Sequence, residues 1–467
     1  MSTDYAQLYQ FDPARIESGF TKTLTVAPTE SFFPARSYGF AYGNADTTLP
    51  VNALEYTGWR DETLAWHLTC SLSANISPSP VTTIRGPQAI DFMRENFVNN
   101  IDKWEIGASK NGLMLLEDGT IAAQGVIIRS DEQEYQCFWL SPFIDYRFSL
   151  REWDATCETT LDKVFVYQLQ GPKSLQILEE ATGDNLHDIA FCRSKMTQID
   201  GVPVRVLRFG MGNSLGYEVH GDSEFAQQVH RRLLEVGMPY GIRRMGEQAY
   251  SMNHTTGGSQ QAGFHFDVSL FNDPGYVAFN EQMMGDAGFD FSSGLVFLGS
   301  FDGDDSERIV NPLEIGLSRC INWNHDFIGK EALLEAKEHV TRGLKTLVWN
   351  PEDIVDIFRS QFTDDPFEPI DAGGFLPAFN GEMPVCFDNV LDMEGNKIGY
   401  SGGRMMDWWN KAMISMAVMD IDFCKEGTQV QVVWGKPGSH QKLIRATVAG
   451  VPFNTHLENR SVDLASV

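Results

Sequence analysis

Basic residues are scarce in this chain. Thirty-six lysines and arginines face 63 aspartates and glutamates, giving a formal net charge of −27 over 467 residues. Such a field repels nucleic acid and anionic membrane, so an anionic ligand must be gripped by local donors. No CxxC pair occurs among the seven cysteines, at 70, 137, 157, 192, 320, 386 and 424. An odd, dispersed set reads as reduced thiols of a cytoplasmic protein, not as a disulfide framework or a zinc site. No apolar run reaches the roughly eighteen residues a membrane helix needs. The opening Met1-Ser-Thr-Asp-Tyr-Ala-Gln-Leu-Tyr-Gln10 has neither the basic nor the apolar part of a secretory signal. No GxGxxG or GxxxxGK[ST] stands between a strand and a helix, so nucleotide binding has no support. His220, His230, His254, His265 and His325 show no metal-ligand spacing, and no metal is expected.

What is present is ordinary globular material, 42% hydrophobic and 21% charged, long enough for two or three domains. A faint repeat runs through the first half. Val81-Thr-Thr-Ile-Arg-Gly86-Pro-Gln-Ala-Ile-Asp-Phe-Met93 and Val166-Tyr-Gln-Leu-Gln-Gly171-Pro-Lys-Ser-Leu-Gln-Ile-Leu178 share a β-rich run, a Gly-Pro break and apolar residues at helical spacing. Pro87 and Pro172 suit the first turn of a helix, where the missing N–H costs nothing. Two such units in tandem predict two related α/β subdomains. Val202 to Phe209 alternates as a strand, and Asp222 or Ser223 caps a helix with Phe225, Val229, Leu233 and Val236 on its apolar face. From Lys345 onward short β-runs prevail, notably Gly427–Trp434 and Leu443–Val448, and predict a compact β domain. The expected division is 1–165 and 166–343 for the two α/β subdomains, 344–455 for the β domain and 456–467 for a polar tail.

Two blocks carry most of the functional information. Phe209-Gly-Met-Gly-Asn-Ser-Leu-Gly-Tyr-Glu-Val-His-Gly221 is a Gly-rich turn delivering one carboxylate, Glu218, into a strand. Asn311-Pro-Leu-Glu-Ile-Gly316 runs on to His325-Asp-Phe-Ile-Gly-Lys-Glu-Ala-Leu333, a tight turn and a helix start. With Gln170-Gly-Pro-Lys173, Ile398-Gly-Tyr-Ser-Gly-Gly403 and Arg445-Ala-Thr-Val448 in the same order, the chain resembles the glycine-cleavage T-protein (aminomethyltransferase) family. Trp59-Arg60, Gly246-Glu-Gln-Ala-Tyr250 and the two later blocks bring it nearest to the tetrahydrofolate-dependent aromatic O-demethylases that act on vanillate and syringate.

The resemblance implies an α+β, T-protein-like fold of three domains around a folate channel, with a barrel-like β domain at the C-terminus. It also implies tetrahydrofolate as methyl acceptor and a methoxylated aromatic small molecule as donor. Tyr250 matches the catalytic tyrosine, and the chemistry agrees. A neutral ether releases its methyl only when its oxygen receives a proton or a strong hydrogen bond. A phenol, whose pKa of about 10 resembles that of the leaving group, can supply it. Glu218 matches the glutamate that accepts two N–H bonds from the pterin edge; Gln124, Phe138 and Asn253 fall at the other cofactor positions.

The substrate end departs from the pattern. Gln124, in Gly119-Thr-Ile-Ala-Ala-Gln124-Gly, replaces an aspartate, so an aminomethyl-type role that needs a charge or a base there is disfavoured. Leu140 stands where an arginine would pair a substrate carboxylate, which leucine cannot do. Pro78 replaces a pocket histidine and Ser259 a tryptophan. Trp139 and His254 complete the expected substrate wall. Two alternatives remain alongside O-demethylation: demethylation of a sulfonium or betaine, and a non-catalytic folate binder.

Overall fold

In the computed structural model, residues 37–40, 51–77, 79–287, 295–374 and 383–464 are described. A ribbon of β1 (Ser37–Phe40) and β2 (Val51–Glu55) precedes the main body. Ten strands then form one sheet: β3 (Cys70–Ser73), β4 (Ser79–Arg85), β5 (Ser109–Leu115), β6 (Ile121–Asp131), β7 (Glu134–Phe138), β8 (Thr156–Gln170), β9 (Ser194–Ile199), β10 (Val202–Leu207), β11 (Gly216–Asp222) and β12 (Ile242–Met245). Their order is β5-β6-β7-β4-β8-β11-β10-β9, with β3 against β8 and β12 against β3.

A second sheet holds β13 (Leu295–Leu298), β14 (Arg342–Trp349), β15 (Met383–Leu391), β16 (Lys397–Asp407), β17 (Ala412–Asp420), β18 (Gln429–Trp434) and β19 (Lys442–Ala449). Pairing of β15 with β18 closes six of these strands into a barrel, with β13 added parallel to β15. The fold is therefore the expected mixture of α and β with a C-terminal barrel. Closure removes the open edges that short β-runs would otherwise expose.

The helices that frame the site include α1 (Trp59–Leu68), α2 (Ala89–Asn96), α3 (Phe143–Ser149), α4 (Ser174–Thr182), α5 (Ala226–Gly237) and α6 (Glu247–Gly257). The repeat read from the sequence is visible as β4-Gly86-Pro87-α2 and β8-Gly171-Pro172-α4, and the two strands pair antiparallel. Both glycines have φ well above zero, and the first helical amide of each copy (Ala89, Ser174) bonds back to its glycine carbonyl at 3.0 Å. Each proline sits in the turn just ahead of its helix, not inside it.

Asp222 caps as expected, its side chain accepting from the Glu224 amide. That cap opens a short 3-10 turn, and α5 starts only at Ala226. Val229, Leu233 and Val236 are buried at helical spacing, whereas Phe225, placed on the same face from sequence, is 38% exposed. The C-terminal segment, read as a polar tail, is pinned to the core within its described part. Asn459 donates to the Gly216 carbonyl, accepts from Arg208, and its amide bonds the Asn213 carbonyl, while Leu464 joins the hydrophobic core of β8 to β11.

Candidate active site

Three segments fix the centre of the site. The first is β11, where alternation turns Tyr217 and Val219 into the core and Glu218 and His220 to the opposite face. Each Glu218 oxygen already has a protein donor: Gln168 Nε2 of the neighbouring β8 lies 3.0 Å from Oε1, and His220 Nε2 lies 2.9 Å from Oε2. A carboxylate oxygen has two lone pairs, so both oxygens keep one for a ligand. The carboxylate is only 3% exposed. Phe138, the last residue of β7, packs on the His220 ring at 5.1 Å.

The second segment is α6, whose residues Ala249 to Thr256 are all buried. A helix in that position must find partners for its polar side chains. Ser251 donates to the Gln248 carbonyl, Thr255 to the Gly403 carbonyl of the barrel, and Thr256 to Asp407. His254 Nδ1 donates to the Tyr250 carbonyl at 3.1 Å, which leaves Nε2 as an acceptor. Burial holds that imidazole down at about 4, so it is neutral at pH 7. Asn253 differs: its Oδ1 and Nδ2 are both buried without a partner among the described residues.

Tyr250 sits in the first turn of α6. Burial, with the Glu218 and Glu247 carboxylates near it, pushes its phenol well above the usual value. It therefore stays protonated and can only donate or share its proton.

The Gly-rich block is the third segment. Its loop passes so close to α6 that a Cβ on Gly257 would lie 2.0 Å from the Met211 carbonyl oxygen. Ser259 donates to that same carbonyl at 2.8 Å.

Together these segments enclose a cavity of about 1030 Å³. Glu218, Tyr250, His254, Gln124, Phe138, Trp139 and Ser259 all line it. Gln124 on β6 donates weakly to Asn111 (3.4 Å) and leaves a buried Oε1 unpartnered. Asn253 lies behind the wall, with its Cβ near Gly212. Pro78 lies outside the described residues.

Leu140 needs correction: it does not reach the cavity. It is 1% exposed in the core with Phe143, Ile144 and Tyr135. Strand alternation after Phe138 would turn Trp139 into that core and Leu140 toward the cavity. Trp139 instead takes φ +64°, which inverts the alternation: the indole lines the cavity, 46% exposed, and Leu140 goes inward. His220 and Gln168, which hold Glu218, were missed from the sequence. A His two residues from a strand glutamate was the available signal for the first.

A buried carboxylate with lone pairs to spare and a phenol held in its neutral form line one chamber, an arrangement suited to a ligand that presents paired N–H groups. The chain is also similar to known proteins. Residues 53–258 match the GCVT N-terminal domain. A sesamin methylene transferase from Sinomonas sp. is 35% identical over 445 residues, 94% of this chain and 95% of the relative. A syringate O-demethylase from Sphingobium sp. is 27% identical over 434 residues, 86% of this chain and 89% of the relative. Among solved structures, the glycine cleavage system aminomethyltransferase T from Bartonella henselae superposes with a TM-score of 0.62 at 18% identity, over 90% of this chain and 95% of that one.

The chain belongs to the glycine-cleavage T-protein (aminomethyltransferase) family, and it is an enzyme of the tetrahydrofolate-dependent kind.

The residues fit that cofactor. The free lone pairs of Glu218 match the paired N–H groups of a pterin edge, and the orphaned Gln124 oxygen offers a further acceptor. Among the described residues no cluster of three His, Cys, Asp or Glu side chains could hold a metal, and no helix is long and apolar enough to cross a membrane.

Proposed function

We propose that this enzyme takes a one-carbon unit from an aryl oxygen, a methoxy methyl in the first instance, and transfers it to N5 of tetrahydrofolate, releasing a phenol. The observation that carries this reading is the buried, protonated Tyr250 in the same cavity as Glu218. Tetrahydrofolate supplies the nucleophilic nitrogen. Glu218, braced by Gln168 and His220, orients the pterin. Tyr250 donates its proton, or a strong hydrogen bond, to the ether oxygen as the C–O bond breaks. Neutral His254, a helical turn behind Tyr250, offers an unprotonated Nε2 to the released phenol. Phe138 and Trp139 supply aromatic wall.

Gln124 offers an amide and not a carboxylate, and a neutral amine would need no base to attack an activated methyl; the proton that the methylated nitrogen sheds afterwards would restore the Tyr250 phenol. Among the described residues the carboxylates on the cavity wall are Glu218 and Glu458, whereas Lys110, Arg319, Lys345 and Arg460 also line it. This balance disfavours a purely cationic sulfonium donor, and the aromatic wall of Phe138 and Trp139 favours an aryl donor over a betaine.

The similarity to a sesamin methylene transferase favours a second reading within the same chemistry, in which the donor is an aryl methylenedioxy ring. Both oxygens would then leave as a catechol, and the product would be 5,10-methylenetetrahydrofolate.

Anaerobic incubation with tetrahydrofolate and a panel of methoxybenzoates, methoxyphenols, methylenedioxybenzenes, sulfoniums and betaines decides among these by mass spectrometry. 5-Methyltetrahydrofolate with a phenol supports O-demethylation, and the 5,10-methylene product with a catechol supports methylene transfer. Methylfolate formed only from sulfoniums or betaines overturns the aryl reading. Tyr250→Phe should lower turnover by about 10²–10⁴-fold while folate affinity stays within about threefold. Equal turnover in the variant refutes the role given to Tyr250.

A further inference from the structure

The cavity also carries a group of cations that take no part in the transfer step. In a chain with a large acidic excess, four cations line this one wall: Lys110 on β5, Arg319 in the 3-10 turn Ser318–Cys320, Lys345 on β14 and Arg460 in the C-terminal segment. Among the described residues none of the four makes an ion pair within 4 Å, although most arginines elsewhere in the chain do. Lys110 stacks on Trp104 at 5.7 Å and Arg460 on Phe191 at 5.5 Å, contacts that orient the charges without neutralising them.

Three of the cations crowd together. Cys192 and Cys320, both on the wall, each feel Lys110 and Arg460, and Cys320 also feels Arg319. Burial, and then the nearby Arg193 guanidinium, hold the Lys110 ammonium below its usual range. Glu105, the carboxylate that Lys110 feels, is already paired to Arg193. Like charges gathered with so little opposing charge are unfavourable in the empty state and favour an anion with several negative groups. Among the described residues Glu458 is the one carboxylate lining the cavity besides the deeper Glu218; it accepts from Ser461 and makes no ion pair with the cations.

Depth fixes which anion. Glu218 and Tyr250 are buried at 3% and 7% exposure, whereas Arg319 and Arg460 are exposed. The cations therefore mark the mouth and the chemistry marks the floor. Tetrahydrofolate has the same polarity: a pterin at one end and glutamyl carboxylates at the other, with one more carboxylate for each added γ-glutamyl residue.

We infer that Lys110, Arg319 and Arg460, with Lys345, form a carboxylate-binding mouth that selects the poly-γ-glutamylated cofactor over the monoglutamate. This inference rests on the folate reading of the site. A carboxylate on the aromatic donor shares the same chemistry, but it would have to reach the rim while its ether oxygen stays at Tyr250.

The test measures anaerobic dissociation constants by calorimetry for tetrahydrofolate and for tetrahydropteroyltriglutamate, with wild type, Arg319→Gln/Arg460→Gln and Glu218→Gln. The wild type should bind the triglutamate about tenfold tighter or more, with a ratio that shrinks as salt rises. In the arginine double variant the ratio should fall to about one to two, while the monoglutamate constant moves less than about threefold. Equal affinities in the wild type, or an unchanged ratio in the double variant, overturn the inference. So does a raised KM for a carboxylated donor with triglutamate binding intact, which would assign the mouth to the donor. Glu218→Gln separates the levels. Monoglutamate binding that depends on Glu218, with a ratio of one, sinks only the mouth; no folate binding in the wild type sinks the folate reading as well.

Discussion

Replacing Glu218 by Gln probes the cofactor grip with little disturbance to its surroundings. The two side chains are nearly isosteric, but the amide replaces one acceptor by an NH₂ group. If that NH₂ faces His220, the imidazole can answer: His220 Nδ1 has no partner among the described residues, so its proton can move there and leave Nε2 to accept. Oε1 still accepts from Gln168, and both internal contacts survive.

The loss falls on the ligand side. One charge-assisted acceptor becomes neutral and the other becomes a donor facing a donor. Charge-assisted hydrogen bonds contribute about 1.5–3 kcal/mol each, so the combined loss is about 3–4 kcal/mol, or roughly 10²–10³ in affinity. Anaerobic calorimetry with tetrahydrofolate reads this directly, and the thermal midpoint of the unliganded variant should stay within about 3 °C. Folate binding within threefold of wild type would refute the role given to Glu218. A collapsed midpoint would refute the tautomer argument.

Two further outcomes concern stability. Burial holds His67 and His254 down at about 4 and His230 and His265 at about 3, so the unfolded chain takes up their protons first as pH falls. Their stabilisation is complete above about pH 6.5 and is lost on descending toward pH 4, at up to about 2–3 kcal/mol per histidine. Asp388, pushed up to about 6 by burial, acts in the opposite sense and offsets roughly one of them. The urea midpoint should fall steeply between about pH 6 and pH 4.5, and a flat profile refutes the burial argument. Gly171→Ala should destabilise by about 2–4 kcal/mol in the same assay, because its Cβ would lie 2.6 Å from the Thr69 carbonyl oxygen at φ +125°. Gly201→Ala, at φ +80° but in open space, should cost only about 1–2 kcal/mol, so equal losses refute the contact argument.

Much of the cavity lining was legible because its parts are local. A Gly-rich turn leading into a strand carried Glu218, the family resemblance singled out Tyr250, and both line the cavity, while a Gly-Pro break marked both copies of the repeat. What escaped depends on neighbours that sequence order hides. Gln168 braces Glu218 from a strand fifty residues earlier in the chain. Leu140 was put on the cavity wall by its match to a family arginine; the left-handed Trp139 turns it into the core instead, and nothing about tryptophan signals that conformation. The cationic mouth is assembled from four distant segments, each an unremarkable basic residue on its own. Phe225 failed because the start of α5 slipped by a 3-10 turn, which rotated it off the buried face.

The pinned C-terminal segment has a kinetic consequence. Asn454 and Asn459 hydrogen-bond the loop that carries the Gly-rich block, across some 240 residues of sequence, and Arg460 completes the cavity wall. Contacts this distant are the slow ones to form, since their closure entropy is spent before they stabilise anything. During synthesis the ten-stranded sheet can emerge whole while the chamber still lacks a side. Cofactor capture thus waits for residues 454–460, and a nascent chain cannot draw on ligand binding for stability until they have left the ribosome.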